Sequence, residues 1–180
     1  MEQVGVEQTR SFALVGHSGD GKTSLGEALL YLAGEKKTLG KVDDGTSSLD
    51  YLPEERKRAS SISSSIYSFD WSETHLTLVD TPGDPNFQAD GRIALTALDG
   101  AVLLVSGVGG AKVGTERMFR RCQSLEIPVV AFVNGLDRER SDFARAVESL
   151  RKIAVNAAVL TLPIGSDRKF SGVIDLLTMK

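Results

Sequence analysis

The chain has 180 residues, 41% of them apolar and 25% charged, and a formal charge of −3. These values suit one soluble domain with a sizeable core and exclude a protein that grips nucleic acid by general basicity. A lone cysteine, Cys122, excludes an intrachain disulfide or zinc cluster; with no membrane-length apolar run and no signal-peptide pattern, the expected location is cytoplasmic.

Residues 1–10 are polar and are expected to form a loose N-terminus. Phe12 to Val15 is an unbroken apolar run of the kind found in strands covered on both faces. Gly16-His17-Ser18-Gly19-Asp20-Gly21-Lys22-Thr23 follows, reading G-x-x-x-x-G-K-T. It opens onto a helix running to about Ala33, with Leu25, Ala28, Leu29 and Leu32 on one face and a stop near Gly34. A polar segment from about residue 35 to 61 has no sustained period, and its composition predicts a loop that is unordered without ligand.

Ile62 to Phe69 reads as a partly exposed or edge strand. Leu76 to Val79 reads as a second strand, joined to the first through a turn at Asp70 to Thr74. Ala101 to Val105 and Val129 to Val133 are further strands, separated by a helix over Thr115 to Leu125 that aligns Met118, Cys122 and Leu125. Another helix starts near Ser141, a plausible N-cap, with Phe143, Val147, Leu150 and Ala154 along one stripe. Val159 to Ile164 supplies one more strand. This alternation predicts an α/β fold with a mostly parallel sheet and helices on both faces, a three-layer P-loop NTPase arrangement. Ligands of such sheets bind beyond the carboxyl ends of the strands.

The glycine-rich loop sits at such an end. Dense phosphate charge needs several backbone N–H groups, a helix N-terminus and a full positive charge. His17, Ser18, Gly19, Asp20, Gly21, Lys22, Thr23 and Ser24 form the candidate cradle; Lys22 contributes the charge and Thr23 a hydroxyl for Mg²⁺. Asp80 ends the Leu76 to Val79 run and can hold Mg²⁺, usually through water, while Gly83 lets its N–H approach a terminal phosphate. Asn134 and Asp137 follow the Val129 to Val133 run. One carboxylate can accept both donors of a guanine edge, so Asp137 is the candidate base reader and Asn134 a brace for the loop.

These residues, in this order, resemble the translational GTPases, most closely the GTP-binding domain of elongation factor G and its divergent paralogues. The likeness covers nearly the whole chain from Phe12, including DTPG followed by Phe87, GTERMFRRCQSLEIPVVAFVN, and the closing LPIG…FSGVIDLLTMK. It implies a first switch in the long loop, where GTSSLDYLPEERKRASSIS places Ser61 at the position of a Mg²⁺-contacting threonine. His17 matches the family and reads as a partly solvated loop histidine. The departures bear on activity. Asp84 stands where the family has a water-orienting histidine, and a carboxylate beside a γ-phosphate repels it and donates no hydrogen bond. Gly135 replaces a lysine that lies along the base and supports the phosphate loop. Gly19 replaces a common acid, with Asp20 next door, and Ala59 replaces a glycine.

The resemblance therefore implies a guanine-nucleotide switch domain over 1–165 that uses GTP or GDP and Mg²⁺, with 166–180 opening a truncated inserted subdomain. No last guanine-contacting loop follows Ile164. Lys22, Gly83 and the Asp84 position form the candidate catalytic set, with slow hydrolysis expected. A non-hydrolysing GTP/GDP-binding module and a P-loop ATPase remain alternatives. The implied partner of the full-length protein is the ribosome. The fragment is expected to be a monomer without membrane attachment or sequence-specific nucleic-acid binding.

Overall fold

The computed structural model describes residues 5–180; the first four positions of the expected loose N-terminus lie outside them. A five-stranded sheet forms the centre, in the order β2-β3-β1-β4-β5. Its strands are β1 (Thr9–Gly16), β2 (Ser65–Trp71), β3 (Thr74–Asp80), β4 (Gly100–Ser106) and β5 (Val129–Asn134). Only the β2–β3 pair is antiparallel. The expected hairpin is present, turning through Ser72 and Glu73. Register sets Leu14 beside Asp80, Gly16 beside Leu104 and Ser106 beside Asn134, so the candidate residues gather along one edge of the sheet.

Side-chain alternation on β1 explains the two cores. Leu14 faces a cluster with Leu30, Leu49, Phe69, Leu78 and Leu104, covered by α1 (Lys22–Leu32). Ala13 and Val15 face the opposite cluster with Val105, Met118, Cys122 and Leu150. That face carries α3 (Gln88–Ala94), α4 (Val113–Ser124) and α5 (Phe143–Arg151). This is the expected α/β layering.

Several local expectations are corrected. On α1 the core face is Gly26 and Leu30, flanked by Leu25 and Leu29, whereas Leu32 is 65% exposed. Gly26 allows this rotation: a Cβ there would stand 3.3 Å from Leu14 Cδ1, so the bare backbone lies close to the sheet. The N-cap of α5 is Asp142, which accepts from Arg145 N at 2.9 Å; Ser141 instead donates to Leu136 O. β5, the expected strand from Val129, lies at the sheet edge with Val130 and Phe132 exposed. The Val159 to Ile164 run gives β6 (Thr161–Ile164), but it pairs only with β7 (Gly172–Asp175), in a separate antiparallel sheet. The expected division after residue 165 falls at the tip of this hairpin.

Candidate functional site

Gly16 ends β1 and the chain turns through the glycine-rich loop into α1. Gly21, the residue before that helix, has φ +91°, and a Cβ there would collide with the Asn134 amide. A side chain would be strained in conformation and blocked in space. No side chain caps α1, so its first amides remain turned to the cleft. Lys22 is buried and donates to His17 O at 3.0 Å across the loop. Burial lowers its pKa, with Asp80 and Asp20 opposing that shift.

The long polar segment, which has no sustained period in the sequence, follows a defined path. It contains α2 (Pro53–Arg58) and is held by two fully buried acids, Glu27 and Glu55. Glu27 Oε1 accepts from Ser47 Oγ (3.0 Å), Ser48 N (2.6 Å), Ser48 Oγ (2.9 Å) and Leu49 N (3.2 Å), while Oε2 pairs with Lys36. Glu55 accepts from the amides of Leu52, Ile62 and Ser63. Neither acid has a sequence signal beyond its place on a helix.

These anchors deliver Asp50 and Ser61 to the head of α1. Thr23 Oγ1 donates to Asp80 Oδ2 at 2.6 Å and lies 3.1 Å from Ser61 Oγ, which donates to Asp50 Oδ1 at 2.9 Å. Asp80 is 1% exposed, and its Oδ1 has no hydrogen-bond partner. Burial pushes its carboxyl up to about 7, against the Thr23 hydroxyl and the Lys22 ammonium. Burial likewise raises Asp50, with the Ser61 hydroxyl opposing. A buried carboxylate with a free oxygen beside two hydroxyls fits a hard divalent cation. Among the described residues no group of three or more His, Cys, Asp or Glu is arranged to hold a metal ion by itself. An ion here would complete its shell with phosphate oxygens and water, as Mg²⁺ does.

On the other side, Asn134 Nδ2 donates to Asp20 O at 2.9 Å, and the buried Asp20 carboxylate accepts from Lys112 Nζ at 2.7 Å. Two side chains thus brace a loop that Gly135 cannot reach. Sequence reasoning missed Lys112, which reads as an ordinary loop cation just before α4. Asp137 is exposed, in the turn beyond β5. His17 is half-buried beside Gly114, where a Cβ would stand 2.7 Å from its Nδ1.

Gly83 closes over the loop: a Cβ there would stand 2.7 Å from Ser18 N and Cα and would also strike Lys22 Nζ. Asp84 beside it is turned aside. Its Oδ1 accepts from Asn86 N at 2.9 Å and its Oδ2 lies 3.9 Å from Arg58 Nη2, whose guanidinium stands over Phe87. A cleft of about 500 Å³ is lined by Ser18, Gly19, Gly21, Lys22, Thr23 and Ser24 on one side and by parts of residues 39–61, Gly83 and Arg138 on the other. Ser61 reaches it; Asp80, Asp84, Asn134 and Asp137 stand behind or beside its lining.

Residues 7–179 match the family model described as the elongation factor Tu GTP binding domain. The chain is 38% identical over 175 residues to the mitochondrial ribosome-releasing factor 2 of Yarrowia lipolytica, covering 95% of this chain and 22% of that protein. It is 36% identical over 181 residues to elongation factor G of Granulibacter bethesdensis, covering 100% of this chain and 26% of that one. A crystal structure of a Thermus thermophilus protein is similar with a TM-score of 0.87 and 36% identity, over 92% of this chain and 25% of its own. The chain thus spans about a quarter of the length of these curated relatives. No helix among the described residues is long and apolar enough to cross a membrane.

Proposed function

The chain belongs to the elongation factor Tu GTP-binding domain family, and from that membership we propose a guanine-nucleotide switch that holds GTP or GDP with Mg²⁺ and hydrolyses GTP slowly. The observation that carries this reading is one bonded cluster: the glycine-rich loop joined to Asp80 and Ser61 through Thr23, and to Asn134 through Asp20.

The loop amides and Lys22 hold the phosphates. Thr23 and Ser61 offer hydroxyls, and Asp80 a carboxylate, to Mg²⁺, which when bound neutralises phosphate charge. Asp137 accepts the two donors of the guanine edge and rejects adenine. Ser61 and Gly83 approach the terminal phosphate only when it is present, and this orders the two loops. Asp84 has no donor to orient water, and its carboxylate is engaged by Asn86 N and Arg58. Phosphoryl transfer gains mainly from positioning and positive charge, so turnover is slow.

In a longer protein this switch governs docking on the ribosome in the cytoplasm. Residues 1–165 act as its monomeric nucleotide domain, and the chain from 166 begins an inserted subdomain. Calorimetry with Mg²⁺ and GDP, GTP, ADP or ATP tests the reading. Tight guanine binding, adenine binding at least about 100-fold weaker, and loss of that gap in Asp137→Ala are expected. Equal binding of ADP and GDP by the unmodified chain contradicts it.

A further inference from the structure

A second cleft, of about 600 Å³, lies between α3 and α4 and shares no lining residue with the nucleotide cleft. Arg92 on α3 faces Arg117, Arg120 and Arg121 on α4, and no acid lines the cleft. Glu116 pairs with Arg120 at 2.6 Å. Among the described residues Arg92, Arg117 and Arg121 have no carboxylate within ion-pair distance, and Arg121 Nε is buried without an acceptor. In a chain of net charge −3, this is a local concentration of unneutralised guanidinium.

We propose that the α3–α4 cleft binds the phosphodiester backbone of duplex RNA. The planar guanidinium fork matches phosphate oxygens and holds its charge at any working pH. Arg117, Arg120 and Arg121 follow i, i+3, i+4 spacing and lie along about 6 Å of helix axis, with Arg92 on the facing wall. Such a track engages successive phosphates, whereas one free anion meets only part of it. The apolar lining is limited to Pro85, Ala89 and Met118. Without an aromatic ring there is no stacking platform for unpaired bases, and without large apolar anchors there is little to hold a folded protein partner. Backbone contact without base readout is the remaining mode. The choice of RNA over DNA rests on the ribosomal reading above; the choice of phosphate rests on the arginines. Gln88 lines the cleft and donates to Gly83 O at 3.3 Å, so an occupied cleft adjoins the turn that closes over the phosphate loop.

The test is fluorescence anisotropy with a labelled RNA duplex of about 16 base pairs at about 50 mM salt. Saturating GDP and Mg²⁺ block the nucleotide cleft, and GDP affinity is measured on the same samples. Binding is expected to weaken at least about tenfold in Arg92→Glu/Arg117→Glu, and the salt slope to fall by about 2. GDP affinity and melting temperature stay unchanged. Arg92→Glu alone, on the other wall, gives the same direction should the double variant fail to fold. No RNA binding, or binding indifferent to these substitutions, overturns the proposal while intact GDP binding leaves the nucleotide reading standing. Equal competition by a DNA duplex, inorganic tripolyphosphate or polyglutamate also overturns it, in favour of a general phosphodiester, a small polyphosphate or an acidic protein partner respectively.

Discussion

Replacing Glu27 by alanine removes the acceptor on which the first switch hangs. The carboxylate is fully buried and takes four hydrogen bonds on one oxygen and an ion pair on the other. Its loss strands the Ser48 and Leu49 amides, the Ser47 hydroxyl and the Lys36 ammonium. Breaking a buried pair from one side costs about 3–5 kcal/mol. The Lys36 side chain is 17% exposed and can reach water, which favours the lower figure of about 3 kcal/mol. For a domain of this size that corresponds to a fall in melting temperature of about 6–12 °C. Glu27→Gln keeps one acceptor oxygen and loses the charge, so about half the effect is expected. Thermal melts with hydrogen exchange over residues 36–50 are the assay, and exchange there should accelerate more than in β1 or β4. A melting temperature within about 1 °C of the parent, with unchanged exchange over 36–50, would refute the assignment of Glu27 as the anchor.

The same group sets a pH signature. Burial alone would raise the Glu27 pKa, but Lys36, the Ser48 hydroxyl and the Ser48 and Leu49 amides hold it below its ordinary value of 4.5. Its contribution is therefore fully present above that ordinary value and is lost as pH falls through the lowered one, so the parent–Glu27→Gln gap in urea stability should be flat near neutrality and shrink in acid. Lys112→Ala leaves the buried Asp20 carboxylate unpaired beside the phosphate loop; with Lys112 about one-third exposed, a loss of about 1–2 kcal/mol is expected, read as a several-fold weaker GDP affinity by calorimetry. Gly83→Ala pushes against Ser18 backbone, so GTP affinity should fall about tenfold or more while GDP affinity, which needs no terminal phosphate contact, falls less.

The fold was legible wherever short apolar runs alternated with helical stripes: β1, β3, β4, α4 and the β2–β3 hairpin all stand at or near their expected positions. Leu32 and Val159 to Ile164 misled for one reason. An apolar residue or run announces burial or a strand, but which neighbour covers it is decided by tertiary packing, here by Gly26 and by β7. The phosphate loop was legible because its glycines are dictated by backbone shape. The switch was not, since Glu27 resembles any solvated helix acid until its partners 20 residues onward are in place. α2 and α3 are short, polar and without apolar period, so pattern alone gives no reason to expect them. Lys112 became visible only when α4 brought it against Asp20.

The measurement closest to the central claim is single-turnover hydrolysis of GTP bound with Mg²⁺, followed side by side in the parent chain and in Asp84→His, with bound nucleotide quantified in both. Both are expected to retain GTP, the parent turning it over slowly and Asp84→His faster by at least about an order of magnitude. Rapid turnover by the parent, or equal rates in the two with equal GTP bound, would contradict the assignment of the defect to Asp84.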